Sequence, residues 1–279
     1  MNTLVLGASG FIGSAVTRRL ASDGCNRVYG LVRTPSKCGQ VRSVHYVAGD
    51  VTDYTTLLRA MDGTEAVICC TSFVGSDELR CRTVNDLGTR NVANAASTVG
   101  VKRVIYVSTA SVYGTGPFRD LPVDGAPLRP YSPASRSRVF GEQHIRGVGG
   151  LVIRPHLIHG PGDRWFMPSL TSVIDRLGGL IDEGSALLST ISVDRLAAGI
   201  ADLAQHGEFR HSTTVHINDP NPSSVIDLLQ REHDRTGWPV PNVSISRADA
   251  LERAKSVGIN PHHVDMISID HWFRNSAPA

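Results

Sequence analysis

The sequence predicts an α/β fold: a doubly wound parallel sheet with a smaller C-terminal substrate-binding lobe. Three observations predict it. Short apolar runs alternate with longer amphipathic runs from Thr3 to Arg154. The first apolar run ends in glycines spaced three apart, Gly7, Gly10 and Gly13, and continues directly into a helical pattern. Beyond Pro155 the alternation loosens, as it would where a second lobe interleaves with the first.

Thr3–Leu6 reads as a buried strand, and Phe11, Ala15, Val16 and Leu20 fall on one face of the following helix. Between them, Gly7-Ala8-Ser9-Gly10-Phe11-Ile12-Gly13 forms a strand–turn–helix. Glycines there let backbone N–H groups approach a pyrophosphate, which sits on the positive end of the helix. The competing reading is a tight turn that only packs helix on strand; the strand before and the helix after favour the Rossmann-like nucleotide site.

Further strands are expected at 27–32, 44–47, 66–70, 103–107 and 151–154, and helices at 53–61, 79–98 and 135–146. Residues 115–133 carry Pro117, Pro122, Pro127, Pro130 and Pro133 and read as a loop. Later come a helical segment at 165–180, a strand at 187–193, a helix at 194–205, a strand at 215–218 and a helix at 222–236. The division expected is a dinucleotide-binding domain at 1–155 and a lobe at 156–279, with 187–218 returning to the first sheet.

Charge is nearly balanced at +2 over 279 residues, which points away from nucleic-acid and membrane partners. The bias of 25 Arg against 3 Lys reads as genome composition. Cys25, Cys38, Cys69, Cys70 and Cys81 lack metal-ligand spacing, and His262 and His263 lack partners at such spacing, so no metal is expected. No run of about 18 apolar residues occurs, and the first strand starts at Thr3, so a cytoplasmic protein is expected.

The position 20 residues past Gly13, where an acidic side chain would bind the ribose hydroxyl of NAD, is Arg33, with Lys37 close behind. A guanidinium pairs with a 2′-phosphate, so NADPH is the expected cofactor. Asp50 and Val51 follow the third strand, where adenine would pack. Thr71 and Ser72 follow the fourth and line the same crevice.

The chain resembles the extended short-chain dehydrogenase/reductase family. The resemblance rests on the glycine loop, Gly49-Asp50-Val51, Asn85 with Gly88, Thr89 and Asn91, Ser108-Thr109-Ala110-Ser111-Val112-Tyr113-Gly114, Arg154-Pro155 with Gly160-Pro161-Gly162-Asp163, and Leu188–Ala197. These follow the family order over residues 3–200, and the part from Gly160 to Leu196 is most similar to hydroxysteroid-dehydrogenase and sugar-epimerase branches. The resemblance implies that Thr109, with Ser108 or Ser111, hydrogen-bonds a substrate carbonyl, and that Pro155, His156 and Leu157 lie against the nicotinamide. Ser111, Tyr113, His159, Trp165 and Phe166 are placed on the substrate side, and His156 or His159 could relay a proton. It also implies a dimer through the helices near Leu79 and Ser135, although Arg90, Asn91, Asn94, Arg136 and Arg138 make these unusually polar.

One departure bears on mechanism. The family places a catalytic Tyr, and a Lys four residues later, in a segment like Ser132-Pro133-Ala134-Ser135-Arg136-Ser137-Arg138-Val139-Phe140-Gly141-Glu142. Here the tyrosine position is Ala134 and the lysine position is Arg138. Tyr131 stands three residues early, before the helix. Arg138 can still hold the ribose hydroxyls; alanine cannot move a proton. Three readings follow: an NADPH-dependent ketoreductase of aromatic polyketides, similar to Tyr-less reductases of simocyclinone-type pathways, with the proton from substrate or water; a non-catalytic NADPH-binding sensor of the NmrA-like kind; or a nucleotide-sugar epimerase or dehydratase. The basic group kept at Arg138 favours the first.

Overall fold

β1 (Asn2–Leu6) alternates its side chains between two apolar layers, with Leu4 and Leu6 on one side and Val5 on the other. Both layers are buried, which is why the strand reads as one continuous apolar run. The computed structural model describes residues 1–23, 27–37, 39, 41–207 and 213–276. Cys25 and Cys38 lie outside the described residues, as does the side chain of Lys37.

After β1 come α1 (Phe11–Ser22), β2 (Arg27–Val32), β3 (Val44–Ala48), α2 (Tyr54–Met61) and β4 (Ala66–Cys69). One long helix follows as α3 (Glu78–Cys81), a π-helical stretch (Arg82–Gly88) and α4 (Thr89–Val99). Then come β5 (Arg103–Val107), β6 (Phe118–Leu121), α5 (Pro133–Gly147), β7 (Leu151–Ile153) and β8 (Leu157–His159). The remainder holds α6 (Phe166–Leu177), β9 (Leu180–Ile181), β10 (Leu187–Leu188), β11 (Thr190–Ser192), α7 (Val193–His206), β12 (Thr214–Val215) and β13 (Ser223–Ser224). It ends with α8 (Val225–Thr236), β14 (Ser244–Ile245), α9 (Arg247–Val257), α10 (Pro261–Ser268) and β15 (His271–Phe273).

The seven-stranded sheet runs β12-β7-β5-β4-β1-β2-β3, and every neighbouring pair is parallel. The chain moves outward from β1 in one direction and from β4 in the other, so their carboxyl ends form the switch point where such sheets bind ligands. α1 and α7 pack on one face, and α2, α4 and α5 cover the other.

A second core unites α6, α8, α9 and α10 in the C-terminal lobe. Beside it lies a sheet ordered β13-β10-β15-β6. The proline-rich stretch expected to be a loop thus contains a strand, β6, which pairs with β15 across some 150 residues of sequence. The strand expected at 187–193 divides instead: β10 joins the four-stranded sheet and β11 pairs with β8. Return to the main sheet is made by β12, beside β7.

The C-terminal segment is stitched to the same edge. Asn218 N–H donates to Asn275 Oδ1 at 2.7 Å, and Asn275 Nδ2 donates to the Asn218 carbonyl at 3.0 Å. No helix among the described residues is long and apolar enough to cross a membrane.

Candidate active site

The glycine loop closes on itself and on β4. Gly7 has φ +76°, and a Cβ there would lie 2.9 Å from Thr71 Oγ1. A Cβ on Gly13 would lie 2.1 Å from the Gly7 carbonyl oxygen, so helix and strand meet this closely only at glycine. Gly10 caps α1 without a side-chain acceptor, no acidic residue occupies the first turn, and Ser9 and Gly10 are exposed. The leading N–H groups around Phe11 and Ile12 are therefore open to an anion. This cradle, which any side chain would fill, fits the diphosphate of a dinucleotide.

Gly7 and Ala8 N–H both donate to the Leu31 carbonyl, which brings the end of β2 beside the loop. Arg33 follows that strand, exposed and without an ion-pair partner among the described residues; Lys37 closes the turn Pro35–Lys37. Asp50 Oδ1 accepts from Thr52 N–H and Oγ1 at 2.9 and 2.8 Å. Val51 is buried against Gly88, where a Cβ would come within 2.8 Å of its Cγ2.

At the end of β5, the Thr109 Oγ1 accepts from Ser111 N–H at 3.2 Å, capping the turn Ala110–Tyr113. The Ala110 N–H reaches the Pro155 carbonyl at 2.8 Å, which sets this turn against the end of β7. Ser108 goes elsewhere. Its Oγ donates to Glu142 Oε1 at 2.6 Å, deep in the interior, so it anchors a buried carboxylate instead of facing a substrate.

That carboxylate belongs to a buried network, which the partly exposed Arg146 also reaches, with Nη1 3.5 Å from Oε2. Arg154 Nε donates to Glu142 Oε1 at 2.9 Å and Nη2 to Oε2 at 2.6 Å; Nη1 donates to the Tyr113 hydroxyl at 2.8 Å. Tyr113 Oη lies 3.0 Å from His216 Nε2, and the ring stacks on Phe273 at 5.7 Å. Tyr113, expected on the substrate side, is therefore a core residue held by Arg154. His216 Nδ1 faces the Arg274 carbonyl at 3.1 Å, which can only accept, so Nδ1 carries the proton and Nε2 accepts from Tyr113.

α5 starts at Pro133, two residues before the expected start, because Ser132 and Ser135 cap each other reciprocally. Ala134 is buried on its first turn. Tyr131 is 50% exposed and turned to the C-terminal lobe: its hydroxyl donates to Asn260 Oδ1 at 3.2 Å and its ring stacks on His262 at 4.1 Å. Arg138 Nη2 and Nε both donate to Ser72 Oγ, at 2.6 and 3.1 Å. Burial pulls the Arg138 pKa down from its ordinary value; a guanidinium starts high enough to stay charged.

His156 also departs from expectation. Its N–H donates to Asn218 Oδ1 at 3.0 Å, and the buried ring packs on Phe273 and His271 at 5.0 and 6.0 Å. The imidazole is thus packed in the interior, and burial holds its pKa well below 6.5. Leu157 and His159 are half-buried in β8; burial also lowers the His159 pKa, against an upward push from Asp219. A Cβ on Gly162 would lie 3.6 Å from Phe11, which places the Gly160–Asp163 turn over the glycine loop. Past it, Trp165 is 58% exposed, whereas Phe166 packs on the C-terminal core.

A family model described as NAD dependent epimerase/dehydratase matches residues 3–208. The chain belongs to this family. Among similar family proteins is a 2-alkyl-3-oxoalkanoate reductase of Stenotrophomonas maltophilia (strain K279a), 30% identical over 210 residues, 71% of this chain and 63% of that one. Another is a 4-hydroxy-2-methyl-3-oxo-4-farnesyl-3,4-dihydroquinoline-1-oxide ketoreductase of Stigmatella aurantiaca, 28% identical, with 74% and 65% covered. The match thus spans somewhat less than two thirds of these curated relatives' lengths. The fold is shared with DesIV, a dTDP-glucose 4,6-dehydratase from Streptomyces venezuelae with NAD bound (TM-score 0.70, 23% identity, 88% and 84% covered). It is shared also with the Bordetella bronchiseptica enzyme WbmH in complex with NAD+ (TM-score 0.73, 17% identity, 96% of both chains).

Two polar residues without a role assigned from sequence tie these elements together. Glu142 holds Arg154 and Ser108 beneath the β5 end, and Asn85 ties the loop after β4 to α5. The available signal was a polar residue at an inward helical position.

Proposed function

We propose that the protein is an NADPH-dependent ketoreductase acting on an aromatic ketone of polyketide type, in antibiotic-like secondary metabolism of the cytoplasm. When bound, NADPH supplies the hydride to the carbonyl carbon. The chain's own residues bind, orient and polarise.

The glycine cradle and the open end of α1 take the diphosphate. Arg33 is the partner of the 2′-phosphate, with Lys37 assigned to the same group from its place in the sequence; Asp50 and Val51 border the adenine, and Thr71 and Ser72 floor the crevice. Arg138 offers its guanidinium to the nicotinamide ribose, and Pro155 and Leu157 border the ring. Thr109 Oγ1 already accepts from Ser111 N–H, so its own proton is free to donate to the substrate carbonyl oxygen. Residues 1–155 serve the cofactor, and 156–279 mainly the substrate, with Trp165 and His159 beside it.

The observation that carries the reading is the pairing of Ala134 with Arg138: the charged ribose partner is kept and the phenol is absent. Tyr131 does not replace it, because its hydroxyl is committed to Asn260. The proton then comes from the substrate's own phenol or from water. A nucleotide-sugar substrate is disfavoured at α6, whose leading N–H groups on Trp165, Phe166 and Met167 are already taken by Asp163 at 2.8, 3.0 and 2.9 Å.

The test is to supply NADPH with a series of aryl ketones and follow reduced-nicotinamide absorbance. Consumption with a hydroxyaryl ketone is expected. Tight NADPH binding with no ketone turned over would overturn the ketoreductase and leave a sensor.

A further inference from the structure

We propose that Ser72 is the positioning residue of Arg138, an assignment that rests on the dinucleotide reading of the crevice. A lysine ammonium is a compact charge that satisfies partners from many directions. A guanidinium is a planar fork on a longer reach, and it binds only when its plane is set. An arginine at the lysine position therefore needs a fixed acceptor behind it, or its fork sweeps the volume meant for ribose and substrate.

Ser72 supplies that acceptor. It sits past the carboxyl end of β4, on the crevice side, and takes both Nε and Nη2 of Arg138 on one oxygen. Nη1 makes no hydrogen bond to another described residue, so this edge of the fork remains available for a ligand. With its acceptor positions occupied by the arginine, the Ser72 hydroxyl proton is directed to Asn85 Oδ1, 3.2 Å away.

Asn85 is fixed in turn. Its Oδ1 accepts from Phe73 N–H at 2.7 Å, and its Nδ2 donates to the Phe73 carbonyl at 2.9 Å and to Ser137 Oγ at 3.0 Å. These partners determine which way round the amide lies. Ser137 then donates to the Ala134 carbonyl at 3.0 Å. The fully buried Asn85 comes from the π-helical stretch, a local rewinding that turns this side chain inward. The loop carrying Ser72 and the helix carrying Ala134 and Arg138 are thereby held as one unit.

A double-mutant cycle on the full chain tests this, with NADPH affinity read from nicotinamide fluorescence. Ser72→Ala should weaken NADPH binding about five- to tenfold when Arg138 is present. In an Arg138→Ala background it should weaken binding no further, and Ser72→Thr, which keeps the hydroxyl, should bind within about twofold of the unaltered protein. Losses that multiply across the two backgrounds would make Ser72 a loop-structuring residue and overturn the assignment, as would unchanged binding in Ser72→Ala. Failure of the unaltered protein to bind NADPH would overturn the cofactor reading together with this one.

Discussion

Arg154 and Glu142 meet in a two-pronged ion pair with both side chains fully buried, at 2.9 and 2.6 Å. Ser108 and Tyr113 complete the hydrogen bonding on either side, so neither charge is left uncompensated. The pair lies directly under the turn that presents Thr109. Its chemistry is structural: it fixes the end of β5 against β7 and α5.

Removing one partner should be far more damaging than removing both. Arg154→Met takes both close hydrogen bonds of the ion pair from the buried carboxylate and leaves it only Ser108 and the more distant Arg146, at 3.5 Å, and a loss of about 3 kcal/mol is expected in urea unfolding. The double substitution Arg154→Met with Glu142→Leu should recover part of that loss, since it removes both fully buried charges and leaves only the partly exposed Arg146 without the carboxylate. Equal or additive losses would show that packing, not charge compensation, sets the effect.

Acid should loosen the C-terminal lobe. His156, His216 and His271 are buried, and burial lowers all three pKa values from 6.5, to about 4 for His216. His271 Nε2 accepts from Gly116 N–H at 2.9 Å while Nδ1 faces the Ile269 carbonyl, so protonation would set donor against donor. The unfolded chain binds these protons first; stability contributed by the neutral rings is full above pH 6.5 and falls as pH drops toward 4. Urea midpoints across that range should decline, because the unfolded chain takes up more protons than the folded one. Substituting His216→Gln should make the decline shallower.

Cofactor choice should depend on Arg33. The Arg33→Ala protein is expected to lose its preference for NADPH over NADH, mostly through weaker NADPH binding, with little change for NADH. An unchanged ratio of the two affinities would remove Arg33 from the 2′-phosphate site.

Thr109 should matter to the chemical step. Thr109→Ala removes the donor aimed at the carbonyl oxygen, and kcat for ketone reduction should drop about a hundredfold with NADPH affinity retained. Thr109→Ser, which keeps the hydroxyl, should restore most of the rate.

The glycine loop and the central strands were legible because their signals are local: spacing, apolar runs and a helix that follows at once. The end of β5 was legible only in outline. Ser108 and Thr109 are adjacent and chemically alike, yet Ser108 turns to Glu142, 34 residues on, and no local pattern reports that pairing. Tyr113 and His156 were misplaced for the same reason, since both are held by Phe273 and its neighbours from the last strand. β6 escaped notice because four residues among prolines become a strand only when β15 lies beside them. The split of 187–193 likewise depends on which neighbours, β13 and β15 or β8, each half finds.

The central claim is that reduction proceeds without a side-chain phenol, and Tyr131→Phe tests it most directly. With NADPH and a ketone carrying an adjacent phenol, kcat of Tyr131→Phe should equal that of the unaltered protein. A fall in the range typical of a lost proton donor, about a hundredfold or more, would make Tyr131 the acid and contradict the account.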